Sequence, residues 1–187
     1  EARAVGVEGD RLTALHIAAF AGREGSVSAL TEGGADLRAR TSIHGKTPMH
    51  LAAQEGHLGC VKLLLEKDPK LACLGTMLEK DFPYYGEMVR GETPLSVAAE
   101  RGHLSVVKYL TSQECVDQSE LILHRTEFDE TALHKACASG NLALVKYVFV
   151  LMGSPLQWPL CTDGSTPLIY AARWGALEVV RFLAEKG

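Results

Sequence analysis

No stretch of this 187-residue sequence is apolar for long enough to cross a bilayer. The longest apolar run is Tyr147-Val-Phe-Val-Leu-Met152, whereas a spanning helix needs about 20 such residues. An excess of positive charge is missing too. Lys and Arg number 19 against 23 Asp and Glu, a formal net charge of −4. Phosphate backbones are bound by basic fields, so nucleic acid is not an expected partner. The five cysteines (Cys60, Cys73, Cys115, Cys137, Cys161) are odd in number and lack paired spacing, which fits reduced thiols better than a disulfide framework. No charged-then-apolar leader opens the sequence. These features set the expectation of a cytoplasmic or nuclear protein without membrane insertion, secretion after removal of a signal being the alternative.

Recognisable chemistry is also absent. Gly45-Lys46-Thr47 has the tail of a phosphate-cradling loop, but the first Gly of such a loop would fall at Arg40. No Cys-x-x-Cys, His-Glu-x-x-His, calcium-loop or nucleophile-elbow pattern occurs. Glu55 and Glu100 are carboxylates without a partner set that would make them an acid–base pair. The expectation is a non-enzyme that needs no cofactor and no metal.

What the sequence does contain is a repeat. A heptapeptide recurs as Thr13-Ala-Leu-His-Ile-Ala-Ala19, Thr47-Pro-Met-His-Leu-Ala-Ala53, Thr93-Pro-Leu-Ser-Val-Ala-Ala99, Thr131-Ala-Leu-His-Lys-Ala-Cys137 and Thr166-Pro-Leu-Ile-Tyr-Ala-Ala172. Three residues after each block stands a glycine: Gly22, Gly56, Gly102, Gly140 and Gly175. A second apolar stripe comes after each glycine, as in Val61, Leu64, Leu65 or Val145, Val148, Phe149, at helical spacing. Thr is a good N-cap, Pro fits the first helical position, and Gly ends a helix in the left-handed conformation. The pattern therefore predicts five helix pairs. No pair buries its apolar faces alone, so stacking must make the core. Cys137, standing where the other blocks have Ala, reads as a small buried hydrophobe.

The threonines are spaced by 34, 46, 38 and 35 residues. These blocks and a period near 33 resemble the ankyrin-repeat family over about residues 8–187. The resemblance implies an all-α fold: an ankyrin-repeat solenoid of stacked helix-turn-helix pairs with projecting β-turn fingers. It implies one domain with repeats at about 8–41, 42–87 (with an extended finger), 88–125, 126–160 and 161–187. Gly34–Arg40 looks like the strand leading into a finger. His16, His50 and His134 hold the position whose histidine, in this family, hydrogen-bonds within and between turns. The function implied is binding of a partner protein by a monomeric array, through a concave groove of about 50 Å at roughly 10 Å per layer, enough for an interface near 800 Å² per partner. The alternative is a regulatory or inhibitory domain that belongs to, or acts against, an enzyme or channel.

Departures from the repeat mark candidate binding residues. The longest insertion falls within Lys67 to Val89 and carries Phe82-Pro-Tyr84-Tyr85. It is either a packed loop or a finger presenting both tyrosines. The residues just before each helix-ending glycine are expected in the groove: Glu100 and Arg101, Arg173 and Trp174, and their equivalents. Trp174 either anchors a partner or meets a following repeat. Finger-tip candidates are His44, Lys46, Arg90 and Phe128, with Ile43 and Phe128 exposed or packed on a neighbouring finger. Trp158, between Gln157 and Pro159, either shields the underlying core or stands at a finger base, the core being the expectation.

Overall fold

The computed structural model describes residues 11–76, 91–113, 118–153 and 158–186. The chain divides between Pro94 and Leu95 into two compact units. The first holds α1 (Ala14–Phe20), α2 (Glu24–Glu32), α3 (Pro48–Gln54), α4 (Leu58–Lys67) and a 3-10 helix (Pro69–Cys73). The second holds α5 (Pro94–Glu100, whose first residue falls in the first unit), α6 (Leu104–Thr111), α7 (Gln118–Leu123), α8 (Ala132–Ser139), α9 (Leu142–Leu151), α10 (Pro167–Arg173) and α11 (Leu177–Ala184). All five threonine-led blocks become short inner helices, each succeeded by an outer helix.

The inner helices start where the side chains dictate. Thr13, Thr47 and Thr131 have extended backbones and form capping boxes in which His16, His50 and His134 take the place usually held by Glu or Gln. Thr166 Oγ1 accepts from the Ile169 amide, and Pro48 and Pro167 occupy the first turn. The ends are equally local. Gly22 (φ +67°) lets its own amide reach the Ala19 carbonyl and the Arg23 amide reach Ala18, the paired bonds of a Schellman cap. The same two bonds recur at Gly56, Gly102 and Gly175.

In the first unit Leu15, Ala19, Val27, Met49, Ala53, Val61, Leu64 and Leu71 are buried between the two helix pairs. In the second, Leu95, Val107, Leu110, Leu133, Cys137, Leu144, Val145, Val148 and Leu183 are buried among three pairs. Burial pushes the Cys137 thiol up to about 12, in keeping with its role as a packing group. Trp158 packs against Phe149 at 5.8 Å between ring centroids.

Two details differ from the sequence reading. Gly34–Arg40 forms turns rather than a strand: the Asp36 carboxylate accepts from the Arg38 amide at 2.8 Å, and Ala39 N–H reaches the Asp36 carbonyl. The extra residues between the third and fourth blocks include α7, which buries Leu121 and Ile122. The three-residue apolar run Leu121-Ile-Leu123 between polar residues carried no helical period by which to foresee it.

Candidate protein-interaction surface

Each of three inner helices is tied to the finger of the next repeat by one ring. Nδ1 of His16, His50 and His134 accepts the amide hydrogen of Thr13, Thr47 and Thr131 at 3.1, 3.2 and 3.1 Å. The proton is thereby placed on Nε2, which donates to the carbonyls of Lys46, Glu92 and Ser165 at 3.0, 2.9 and 3.2 Å. A charged ring would lose the Nδ1 acceptor. Burial drives the His50 pKa down to about 3, against the opposing pull of the Glu92 carbonyl. It also lowers that of His134.

In the first unit the finger closes through Thr41 N–H to the Lys46 carbonyl at 2.9 Å. Nη1 of Arg40 donates to the carbonyls of Gly45 and Gly75, both at 2.8 Å. This leaves Ile43, half exposed at 50%, and His44 at the tip. Lys46 does not project freely: its Nζ donates to Gln54 Oε1 at 2.6 Å, joining finger base to helix end. Thr76 and Glu92 exchange two bonds, amide to carbonyl at 2.8 Å and amide to hydroxyl at 2.9 Å. Between them lie Tyr84, Tyr85 and Arg90, outside the described residues.

In the second unit the fourth finger turns at Asp129, whose positive φ of 58° Asp tolerates better than most residues. The Phe128 side chain is 55% exposed at the tip. This finger lies along the fifth: Thr162 N–H donates to the Phe128 carbonyl at 2.8 Å, and Arg125 Nη1 to the Leu160 carbonyl at 3.1 Å.

Beneath these fingers is an ionic cluster that sequence reasoning missed. Lys135 and Glu130 are each 8% exposed and pair at 2.9 Å. Thr126 Oγ1 and Tyr170 Oη also donate to Glu130, at 3.1 and 2.7 Å. Glu100 lies 4.0 Å from Lys135. Burial alone pushes the Glu130 carboxyl up, but the Tyr170, Lys135 and Thr126 contacts together outweigh it and hold the group below the usual carboxylate range. Burial and then the Glu130 carboxylate push the Tyr170 phenol up. The one sequence signal was a lysine at the block position filled by Ile17, Leu51, Val97 and Tyr170 in the other repeats.

At the edge of this cluster Arg173 lies over the Tyr170 ring, 5.6 Å from its centroid, and 3.6 Å from Asp163. Trp174 caps α10 with 65% of its surface open. Arg101 is exposed at the corresponding end of α5. Arg173, Trp174, Glu100 and Arg101 thus all stand at the ends of inner helices of this unit, while Phe128 stands on a finger.

Threonine-capped helix pairs, glycine-ended and stapled by a histidine to the next finger, define a repeat protein built for stacking. The family profile described as "Ankyrin repeats (3 copies)" matches residues 3–74, 70–155 and 118–187. The chain belongs to the ankyrin-repeat family, whose repeats are protein-interaction modules. A 58-residue stretch is 45% identical to NF-kappa-B inhibitor epsilon of Homo sapiens, covering 31% of this chain and 11% of that protein.

Proposed function

We propose that the chain is a non-catalytic module that binds a partner protein through the ends of its inner helices and its finger tips. The observation supporting this most directly is the exposure of Trp174 beside Arg173. Trp174 is left largely open, and a large exposed aromatic next to a cation has the make-up of an interface anchor. Phe128, Arg101 and Glu100 of the second unit, and His44 and Lys46 of the first, are further described contacts, with Tyr84, Tyr85 and Arg90 in addition. Affinity capture from the native source, followed by titration of the captured partner with Trp174→Ala and Arg173→Ala, tests the assignment. Unchanged affinity for both variants removes these residues from the site.

A second reading draws on the likeness to NF-kappa-B inhibitor epsilon: the chain blocks the activity of what it binds. The matched 58 residues amount to less than two repeats of about 33, so the likeness supports the kind of module and does not specify its partner. Assaying the captured partner with and without the chain separates inhibition from scaffolding.

A further inference from the structure

We infer that Arg173 is set out to receive a carboxylate from an acidic segment of the partner, with Tyr170 as its positioning residue. This rests on the reading that Arg173 lies in the binding surface, and adds the chemistry of what it meets there. Tyr170 is held at both ends of its side chain. The ring stands edge-on to His134 at 5.1 Å between centroids, and the hydroxyl donates to Glu130 at 2.7 Å. One turn later Arg173 lays its guanidinium over that ring, 5.6 Å from the centroid, within the range where a cation and an aromatic face attract. The positions equivalent to Tyr170 are Ile17, Leu51, Val97 and Lys135, and those equivalent to Arg173 are Phe20, Gln54, Glu100 and Ala138. The fifth repeat is thus the one that places a cation a turn after an aromatic ring.

The guanidinium is steered but not satisfied. Its Nη2 lies 3.5 Å from Ser165 Oγ and 3.6 Å from Asp163 Oδ2, at or beyond the outer limit of a hydrogen bond. The other oxygen of Asp163 is committed, accepting from the Cys161 thiol and the Ser165 amide, both at 2.8 Å. Glu130 is turned to Lys135, Thr126 and Tyr170. Among the described residues the remaining donors of Arg173 meet no acceptor, and its side chain is 54% exposed. A planar guanidinium with open donors, already fixed in direction, takes a carboxylate through two parallel bonds. The negative charge of Asp163 beside it favours a singly charged carboxylate over a doubly charged phosphate. The groups that hold Arg173 all come from the fourth and fifth repeats themselves.

A display library of short random peptides, selected on the immobilised full chain and counter-selected on Arg173→Ala, tests this. Peptides enriched on the native chain should carry Asp or Glu. Changing that residue to Asn or Gln should weaken binding about tenfold, the loss expected for a charged hydrogen bond. Arg173→Lys should also weaken it, because the planar fork is lost. Tyr170→Phe keeps the ring and frees it from Glu130. It should weaken binding in the native background and add nothing to Arg173→Ala, a non-additivity that a general loss of stability does not produce. Each variant is checked for native circular dichroism. Enriched peptides without an acidic residue, no enrichment over Arg173→Ala, or additive effects of Tyr170→Phe and Arg173→Ala overturn the inference. The reading beneath it fails separately, when the captured partner binds Arg173→Ala and Trp174→Ala as tightly as the native chain.

Discussion

The hydroxyl of Tyr170 donates to Oε1 of Glu130 across 2.7 Å, joining two residues 40 positions apart in adjacent repeats. Glu130 is also the counter-ion of Lys135, so one carboxylate links the fourth and fifth repeats and neutralises a buried cation. Removing it should be costly. Glu130→Ala is expected to lower stability by about 3 kcal/mol, because it removes the 2.9 Å partner of a buried cation. Glu130→Leu combined with Lys135→Met should recover most of that loss, and Tyr170→Phe should cost about 1–2 kcal/mol. Urea denaturation of the native chain and these three variants checks the order. Since the folded Glu130 carboxyl titrates below its ordinary range, its stabilisation is complete above that range and fades as pH falls through the depressed folded value.

The histidine staples give a second acid-sensitive component. His50 is about 3 when folded against 6.5 as the ordinary value. Between these limits the unfolded chain binds the proton and the folded chain does not, so stability is full above 6.5 and declines as pH falls toward about 3. His50→Leu should flatten this part of the pH profile. At pH 7 it should also cost about 1–3 kcal/mol by orphaning the Thr47 amide and the Glu92 carbonyl. Denaturation midpoints measured from pH 7 to 4 on both proteins test the two effects together.

Much of this was legible beforehand. Thr-led blocks, glycine stops and the apolar stripe identify the helix pairs because each is local chemistry: a hydroxyl on an amide, a residue without Cβ at positive φ, a 3.6-residue period. The inter-repeat role of His16, His50 and His134 came from the family resemblance. The Glu130–Lys135–Tyr170 cluster left only one trace in the sequence, Lys135 at a block position that is otherwise Ile, Leu, Val or Tyr, because its members become a buried network only through stacking. Lys46 shows the same limit. Proposed as a finger-tip contact, it is also bonded to Gln54, a pairing set by the distance from finger base to helix end. Asp36 bent a segment whose composition resembled a strand.

Two glycines with nearly equal backbones separate strain from stacking. Gly22 and Gly175 have φ of 67° and 69°, but only Gly22 lies under a neighbour, the His57 ring. Gly175→Ala is expected to cost about 1–2 kcal/mol, the left-handed penalty alone. Gly22→Ala should cost more and also disturb the His57–Phe20 bond. Thermal unfolding of the pair provides the difference.

The two tryptophans should behave oppositely. Trp174→Ala is expected to leave the unfolding midpoint unchanged and to reduce partner affinity by about 2 kcal/mol. Trp158→Ala should destabilise the second unit through loss of its contact with Phe149 and leave the affinity of the folded protein intact. Parallel calorimetry of unfolding and of binding resolves both.

The most direct test of a binding surface at helix ends and fingers is amide hydrogen exchange of the whole chain, alone and saturated with its captured partner. Protection should concentrate at Ile43–Lys46, Glu100–Gly102, Glu127–Asp129 and Arg173–Gly175. Protection confined to the outer helices α2, α4, α6 and α9, with those four segments unchanged, would contradict the account.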